Sequence, residues 1–165
     1  MNLNRQCYFL ISFLTLMVLA ACAKRPELED LERGFYQQQA IFEALSETAC
    51  TLKKALNLKW MLYKIDSTQQ VDETLLSQFN RMDQLLSQIG SDHIVIQQMG
   101  EAECSLYIEQ WSTAFGGNGA NLGYSYQPAT LAEYRPELYN GPNAEPYIHF
   151  TKPLLSGWYI EFSKH

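Results

Sequence analysis

The feature that most constrains this chain is a change of hydrophobic period at Gly90. Before it, apolar side chains recur every three or four residues. Leu28, Leu31, Phe35, Phe42, Leu45, Ala49, Leu52 and Leu56 form one stripe, and Val71, Leu75, Phe79, Met82, Leu86 and Ile89 a second. Such spacing lines up one face of a helix. Pro26 followed by Glu27, Glu29 and Asp30 opens the first stripe, because proline is tolerated at the first helical position and carboxylates suit the positive end of the dipole. Ser67 and Asp72 are candidate caps of the second stripe and Gly90 its stop; Gln38 alone interrupts the first. Residues 58–65 read equally as helix extension or as a short strand.

After Gly90 the pattern becomes alternation and turns. Residues 94–96 read as a strand and 100–103 as a turn. In the strand at 106–111, Leu106, Ile108 and Gln110 face opposite to Tyr107, Glu109 and Trp111. Gly116-Gly117-Asn118-Gly119 reads as a hairpin connection, with further strands at 122–126, 147–150 and 157–162. The stripes are too short and too aromatic for a coiled-coil seam. The prediction is an α+β fold over residues 27–165: two N-terminal amphipathic helices packed on a C-terminal antiparallel sheet of about four to five strands.

Charge narrows the function classes. Twelve Lys and Arg stand against 18 Asp and Glu in 165 residues, a formal net charge of −6, so there is no long basic track for nucleic acid. At 47% hydrophobic and 13% aromatic residues, the chain has ample material for a core and is not a disordered segment.

The first 22 residues set the expected address. Residues 1–6 carry one charge, Arg5; residues 7–21 carry none; Leu19-Ala20-Ala21-Cys22 follows, then Lys24, Arg25 and Pro26. This is the pattern of a secretory signal peptide at 1–21, with an apolar run shorter than the roughly 20 residues that cross a bilayer. Leu-Ala-Ala-Cys resembles the bacterial lipobox, which implies lipidation of Cys22; ordinary cleavage at the small-residue site is the alternative. Two or three acyl chains hold a protein on a membrane, whereas one binds marginally. The lipoprotein sorting rule, which retains Asp after the cysteine at the inner membrane, finds Ala23 here and so implies the periplasmic leaflet of an outer membrane in a diderm cell. Removing residues 1–21 takes Arg5 away and leaves the side chains at −7, a surface that anionic lipid repels. Residues 22–26 then form a short tether, with Lys24 and Arg25 read as a solvated linker.

Phe35-Tyr36, Phe42-Glu43-x-Leu45, Leu85-Leu86-x-x-Ile89-Gly90, Gly123-Tyr124-x-Tyr126 and Gly157-Trp158-Tyr159-Ile160 together resemble a group of small, functionally uncharacterised bacterial lipoproteins. The resemblance implies the same helices-then-sheet order and carries no activity.

With Cys7 in the signal peptide and Cys22 lipidated, Cys50 and Cys104 remain, and an even pair in an oxidising compartment suits a disulfide; buried free thiols are the alternative. His93, His149 and His165 lack the spacing of a helical zinc site, and no Gly-x-Ser-x-Gly or Ser-x-x-Lys motif is present, so no metal, cofactor or catalytic residue is assigned. Glu101, Glu103 and Glu109 read as a solvated hairpin tip. The Gly116–Asn121 run departs from the glycine-rich calcium repeat by having Asn121 where a carboxylate is needed.

The most suggestive cluster is Tyr124, Tyr126, Tyr134, Arg135, Tyr139, Tyr147 and His149, interleaved with Asn140, Gly141 and three prolines in and around a connection at 127–146, with the first five read as the docking residues. Tyr and Arg give contact area with a polar tip and are enriched where proteins meet; packing of some of these tyrosines on the sheet is the alternative. Joint replacement of Tyr134, Arg135 and Tyr139 is expected to leave the thermal midpoint nearly unchanged while impairing binding. The reading that follows is a non-enzymatic, lipid-anchored module docking an envelope protein partner near the membrane. The alternative is a glycan- or small-molecule-binding domain with a pocket between helices and sheet, lined by Trp111, Trp158 and the tyrosines. Partner, process and oligomeric state are not legible.

Overall fold

The computed structural model describes residues 24–66, 73–99, 102–115, 118–140 and 146–165. The signal peptide expected at 1–21, Cys22, both candidate caps Ser67 and Asp72, Glu101, Gly116 and Gly117 lie outside them. The described elements run α1 (Leu28–Gln37), α2 (Gln39–Leu56), β1 (Trp60–Lys64), α3 (Leu76–Gln88), β2 (His93–Met99), β3 (Ala102–Phe115), β4 (Asn118–Tyr126), the single turn α4 (Glu137–Asn140), β5 (Ile148–Pro153) and β6 (Trp158–Lys164). The fold is α+β as predicted, with six strands rather than four to five. All pairings are antiparallel, in the order β1-β2-β3-β4-β6-β5. No helix among the described residues is long and apolar enough to cross a membrane.

The first stripe makes two helices, not one, and Gln38 is the reason. It leaves helical geometry between α1 and α2, and its side-chain amide donates to the Gln88 carbonyl at 2.9 Å, satisfying one of the free carbonyls at the end of α3. Residues 58–65 resolve as a strand because α2 ends firmly. Asn57 takes the left-handed conformation, with Leu58 N–H bonded to the Lys53 carbonyl and Asn57 N–H to that of Lys54. Gly90 ends α3 at φ 72°, as its position predicts.

The three long helices lie on one face of the sheet. Phe35 and Phe42 meet Trp158 and Tyr124, with Phe42 4.7 Å from the Tyr124 ring and 5.1 Å from Trp158. At the β1 end, Tyr63 packs on Phe79 and its hydroxyl donates to Asp83 at 2.5 Å. At the other end Tyr139, Phe150 and Phe162 interlock edge to face and at a tilt. Cys50 and Cys104 form a disulfide, tying α2 to the start of β3.

Arg25 corrects the linker reading. Its guanidinium stacks on the Tyr139 ring at 3.9 Å, within reach of Trp111 and Phe162, and donates to the Tyr139 carbonyl and, at 3.0 Å, to Asn140 Oδ1. A planar cation gains more over this aromatic floor than in water, so Arg25 belongs to the packed domain rather than to a solvated linker.

Two predictions follow from these fastenings. Paired replacement of Cys50 and Cys104 by Ala removes a cross-link between residues 54 apart, which chain entropy values at about 4 kcal/mol. Urea unfolding of the oxidised parent and of the pair is expected to differ by most of that, and iodoacetamide should label neither residue in the denatured, unreduced chain. Second, burial pushes the hydroxyls of Tyr63, Tyr107 and Tyr124 above the ordinary tyrosine range, helped at Tyr63 by Asp83, and that of Tyr139 up to about 12. The folded chain keeps these protons where the unfolded chain has lost them. Their stabilisation is therefore full below about pH 10 and falls as the pH rises further. Absorbance at 295 nm should show these four phenolates appearing together with loss of the helical circular dichroism; their ionisation near pH 10 in a folded chain would contradict the burial.

Candidate functional site

The structure separates the five tyrosine and arginine candidates. Tyr124 and Tyr139 are core residues, 5% and 2% exposed, which corrects their reading as a docking surface. The polar tips that suggested exposure are satisfied internally: Tyr124 donates to the Leu31 carbonyl at 2.8 Å and Tyr139 to that of Pro26. Tyr126 is half-buried on Trp158, and Tyr134 is half-buried against Phe150 with Lys152 above its ring. Arg135 remains partly exposed and pairs with Glu137 at 3.3 Å. Joint replacement of Tyr134, Arg135 and Tyr139 thus removes a core ring and should lower the midpoint. Trp158 is wholly buried, so the space between helices and sheet is filled core, not the aromatic pocket expected there. A β-bulge in β3 at Gln110 accounts for Trp111. It shifts the register so that Trp111 stands opposite Leu122, on the helix face, instead of sharing a face with Tyr107 and Glu109.

The concavity lies on the other face of the sheet, a trough of about 600 Å³. Its floor comes from register. On β3, β4 and β6, Tyr107, Ser125 and Tyr159 form one cross-strand row, and Glu109, Gly123 and Glu161 the next. Asn121, Ser163 and His149 make a third row across β4, β6 and β5. The apolar end holds Leu62, Val95 and Met99; Pro128, Ala129 and Thr130 of the 127–146 connection, with Tyr147 and His165, complete the rim.

Gly123 explains the shape. A Cβ there would stand 2.3 Å from the Ile108 carbonyl oxygen and 2.9 Å from the Tyr107 ring, so only glycine lets that ring cross the strand. The Tyr107 hydroxyl is buried and has no hydrogen-bond partner among the described residues. Burial, then the charges of Glu161 and Glu109, hold it protonated. Beside it, His149 Nε2 lies 3.2 Å from Glu161 Oε1. Glu109 is therefore part of the trough, correcting its placement at a hairpin tip, while Glu103 is exposed as read. Among the described residues, no Lys or Arg lines the trough. Two carboxylates, one shared with an imidazole, beside an unsatisfied hydroxyl form a hydrogen-bonding station for ammonium, guanidinium or hydroxyl groups.

All three histidines of the chain line this trough, brought there by sheet register rather than by spacing along the sequence. Among the described residues no group of three or more His, Cys, Asp or Glu is arranged to hold a metal. Tyr147 and His149 of the suggested cluster do line the trough, whereas Tyr107, Gly123 and Glu161 had no site reading in the sequence. The available signal was a glycine inside a strand pattern, which marks close approach of another group.

Comparison with family models, with curated proteins and with solved structures finds no match to this chain.

The geometry separates two kinds of tyrosine. Tyr107→Phe removes an unsatisfied buried hydroxyl and is expected to leave stability unchanged or raise it, whereas Tyr124→Phe breaks a made bond and should cost about 1 kcal/mol. Gly123→Ala should cost about 1–3 kcal/mol by overpacking. Urea unfolding of the three variants checks the order; a Tyr107→Phe loss as large as that of Tyr124→Phe would contradict it.

Proposed function

We propose that this chain is a membrane-anchored, extracytoplasmic, non-enzymatic binding module. In this reading Cys22 carries the lipid, and in a diderm cell the domain stands on the periplasmic face of the outer membrane. Its uncovered sheet face docks an envelope protein partner. One observation carries the docking surface: the helices fill one side of the sheet completely, while the other side carries the trough.

Charge supports the anchor and narrows the partner. A domain at −7 gains little from anionic lipid, so attachment falls to the acyl chains. From Cys22 to the held Arg25 the chain reaches at most about 10 Å, which keeps the domain at the bilayer surface. Glu109 and Glu161, with no neighbouring Lys or Arg in the trough, favour a partner segment with a basic side chain, and Leu62, Val95 and Met99 favour an apolar residue beside it. The unsatisfied Tyr107 hydroxyl also favours a second reading, a small hydroxylated or amine ligand in the same trough.

Detergent phase partitioning of the parent and of Cys22→Ser tests the anchor: the parent should enter the detergent phase and the variant the aqueous phase. In-cell cross-linking followed by affinity purification tests the surface, using the parent, Cys22→Ser and the combination Tyr107→Phe, Glu109→Gln, Glu161→Gln. A specific protein should be recovered with the parent and reduced about tenfold or more with the combined variant, the effect of losing at least 1.4 kcal/mol of binding. Full recovery with the combined variant would remove the trough from the interface. Recovery of no protein would move the weight to the small-ligand reading.

A further inference from the structure

Among the described residues, one edge of the sheet is covered and the other has no pairing partner. At β5, Thr151 N–H donates to the Ala132 carbonyl at 3.2 Å, and Ala132 N–H is taken by Thr151 Oγ1 at 3.1 Å, so the connecting segment covers that edge. At β1, no described residue plays this part. The β1–β2 ladder is bracketed by Gln98 N–H to the Lys59 carbonyl at 2.9 Å and Ile65 N–H to the Asp92 carbonyl at 2.8 Å, with unbroken register between them. Bonding residues alternate in an antiparallel ladder. Lys59, Met61, Tyr63 and Ile65 therefore turn their backbone groups toward β2, and Trp60, Leu62 and Lys64 turn theirs outward. The same residues carry exposed side chains: Trp60 is 59% and Leu62 47% exposed, on a strand that otherwise buries Met61 and Tyr63.

We propose that β1 is a self-association edge, on which a second copy of this chain pairs antiparallel about a twofold axis through Leu62. The strand is complementary to itself in that register. Leu62 meets Leu62 of the other copy, and Trp60 meets its Lys64. All three outward residues then fall in hydrogen-bonded pairs, whereas a slip by one residue sets them against groups already used by β2. Lys64 decides between this partner and none. A lysine on an edge strand ordinarily deters pairing, and here it makes an exposed ion pair to Asp92 at 3.9 Å, which holds it weakly. Opposite Trp60 the ammonium lies along an indole face, a favourable cation–π arrangement. The product is one continuous sheet of two six-stranded halves, with both troughs on the same side. The proposal does not rest on the docking function.

Such an edge is small, so the pairing is weak and is best trapped where the chain resides. Single cysteines are placed in the full chain, expressed in cells and mildly oxidised, with the parent chain as background. Leu62→Cys is expected to give a reducible dimer, because Cα atoms of a hydrogen-bonded pair lie about 5.5 Å apart, inside disulfide range. Trp60→Cys alone should stay at background, since its two copies stand about 13 Å apart along the strands. Co-expressed Trp60→Cys and Lys64→Cys should cross-link to each other. Glu47→Cys, on the exposed side of α2, controls for chance collision. The proposal is overturned if Leu62→Cys and the mixed pair both give no more dimer than Glu47→Cys, or if Trp60→Cys dimerises with itself as readily as Leu62→Cys.

Discussion

The fastening of the helical layer to a single face of the sheet is the constraint from which the rest of this structure follows. The Cys50–Cys104 bridge holds α2 to the start of β3. The Tyr124 hydroxyl holds Leu31 of α1, and the Tyr139 hydroxyl with the Arg25 guanidinium holds the residues that lead into α1. Between these points the aromatic core is filled, with Trp158, Phe35 and Phe42 wholly or almost wholly buried. With all three long helices committed to one side, the other face and the β1 edge have no helical cover among the described residues.

That outer face departs from what folding alone asks for. Most buried polar groups are hydrogen-bonded, yet the Tyr107 hydroxyl, like Trp158 Nε1 in the core and Gln78 Oε1 on α3, has no partner among the described residues, and it alone of the three sits beside two carboxylates on a strand row interrupted by a glycine. Local choices that oppose stability without compensation within the fold concentrate at functional sites. The β3 bulge serves the same division of labour. It sends Trp111 to the helix side, under Arg25, and leaves Tyr107 and Glu109 on the open side.

Periodicity carried the helix stripes, the change at Gly90 and the α+β class, because burial on one face acts on every third or fourth residue of a helix and every second residue of a strand. The disulfide was legible because few cysteines remained to pair. The break at Gln38 was visible as an interruption, but its purpose was not, since its partner Gln88 lies 50 residues away. The tyrosines misled for a related reason. A phenol looks alike in sequence whether its tip meets water, a partner or a carbonyl, and the carbonyls of Pro26 and Leu31 are more than 90 residues from the tyrosines they accept from. The trough was hidden because its rows form across strands, and the bulge at Gln110 defeats simple alternation.

The sheet face opposite the helices is the surface through which we propose that this domain meets its partner. A photo-reactive amino acid placed at Asn121 on the open face, or at Glu47 on the helix side, tests this in living cells without altering the trough's carboxylates. Irradiation should yield a discrete adduct from position 121 and none from position 47. An adduct from position 47 with none from position 121 would place the binding surface on the helices and contradict it.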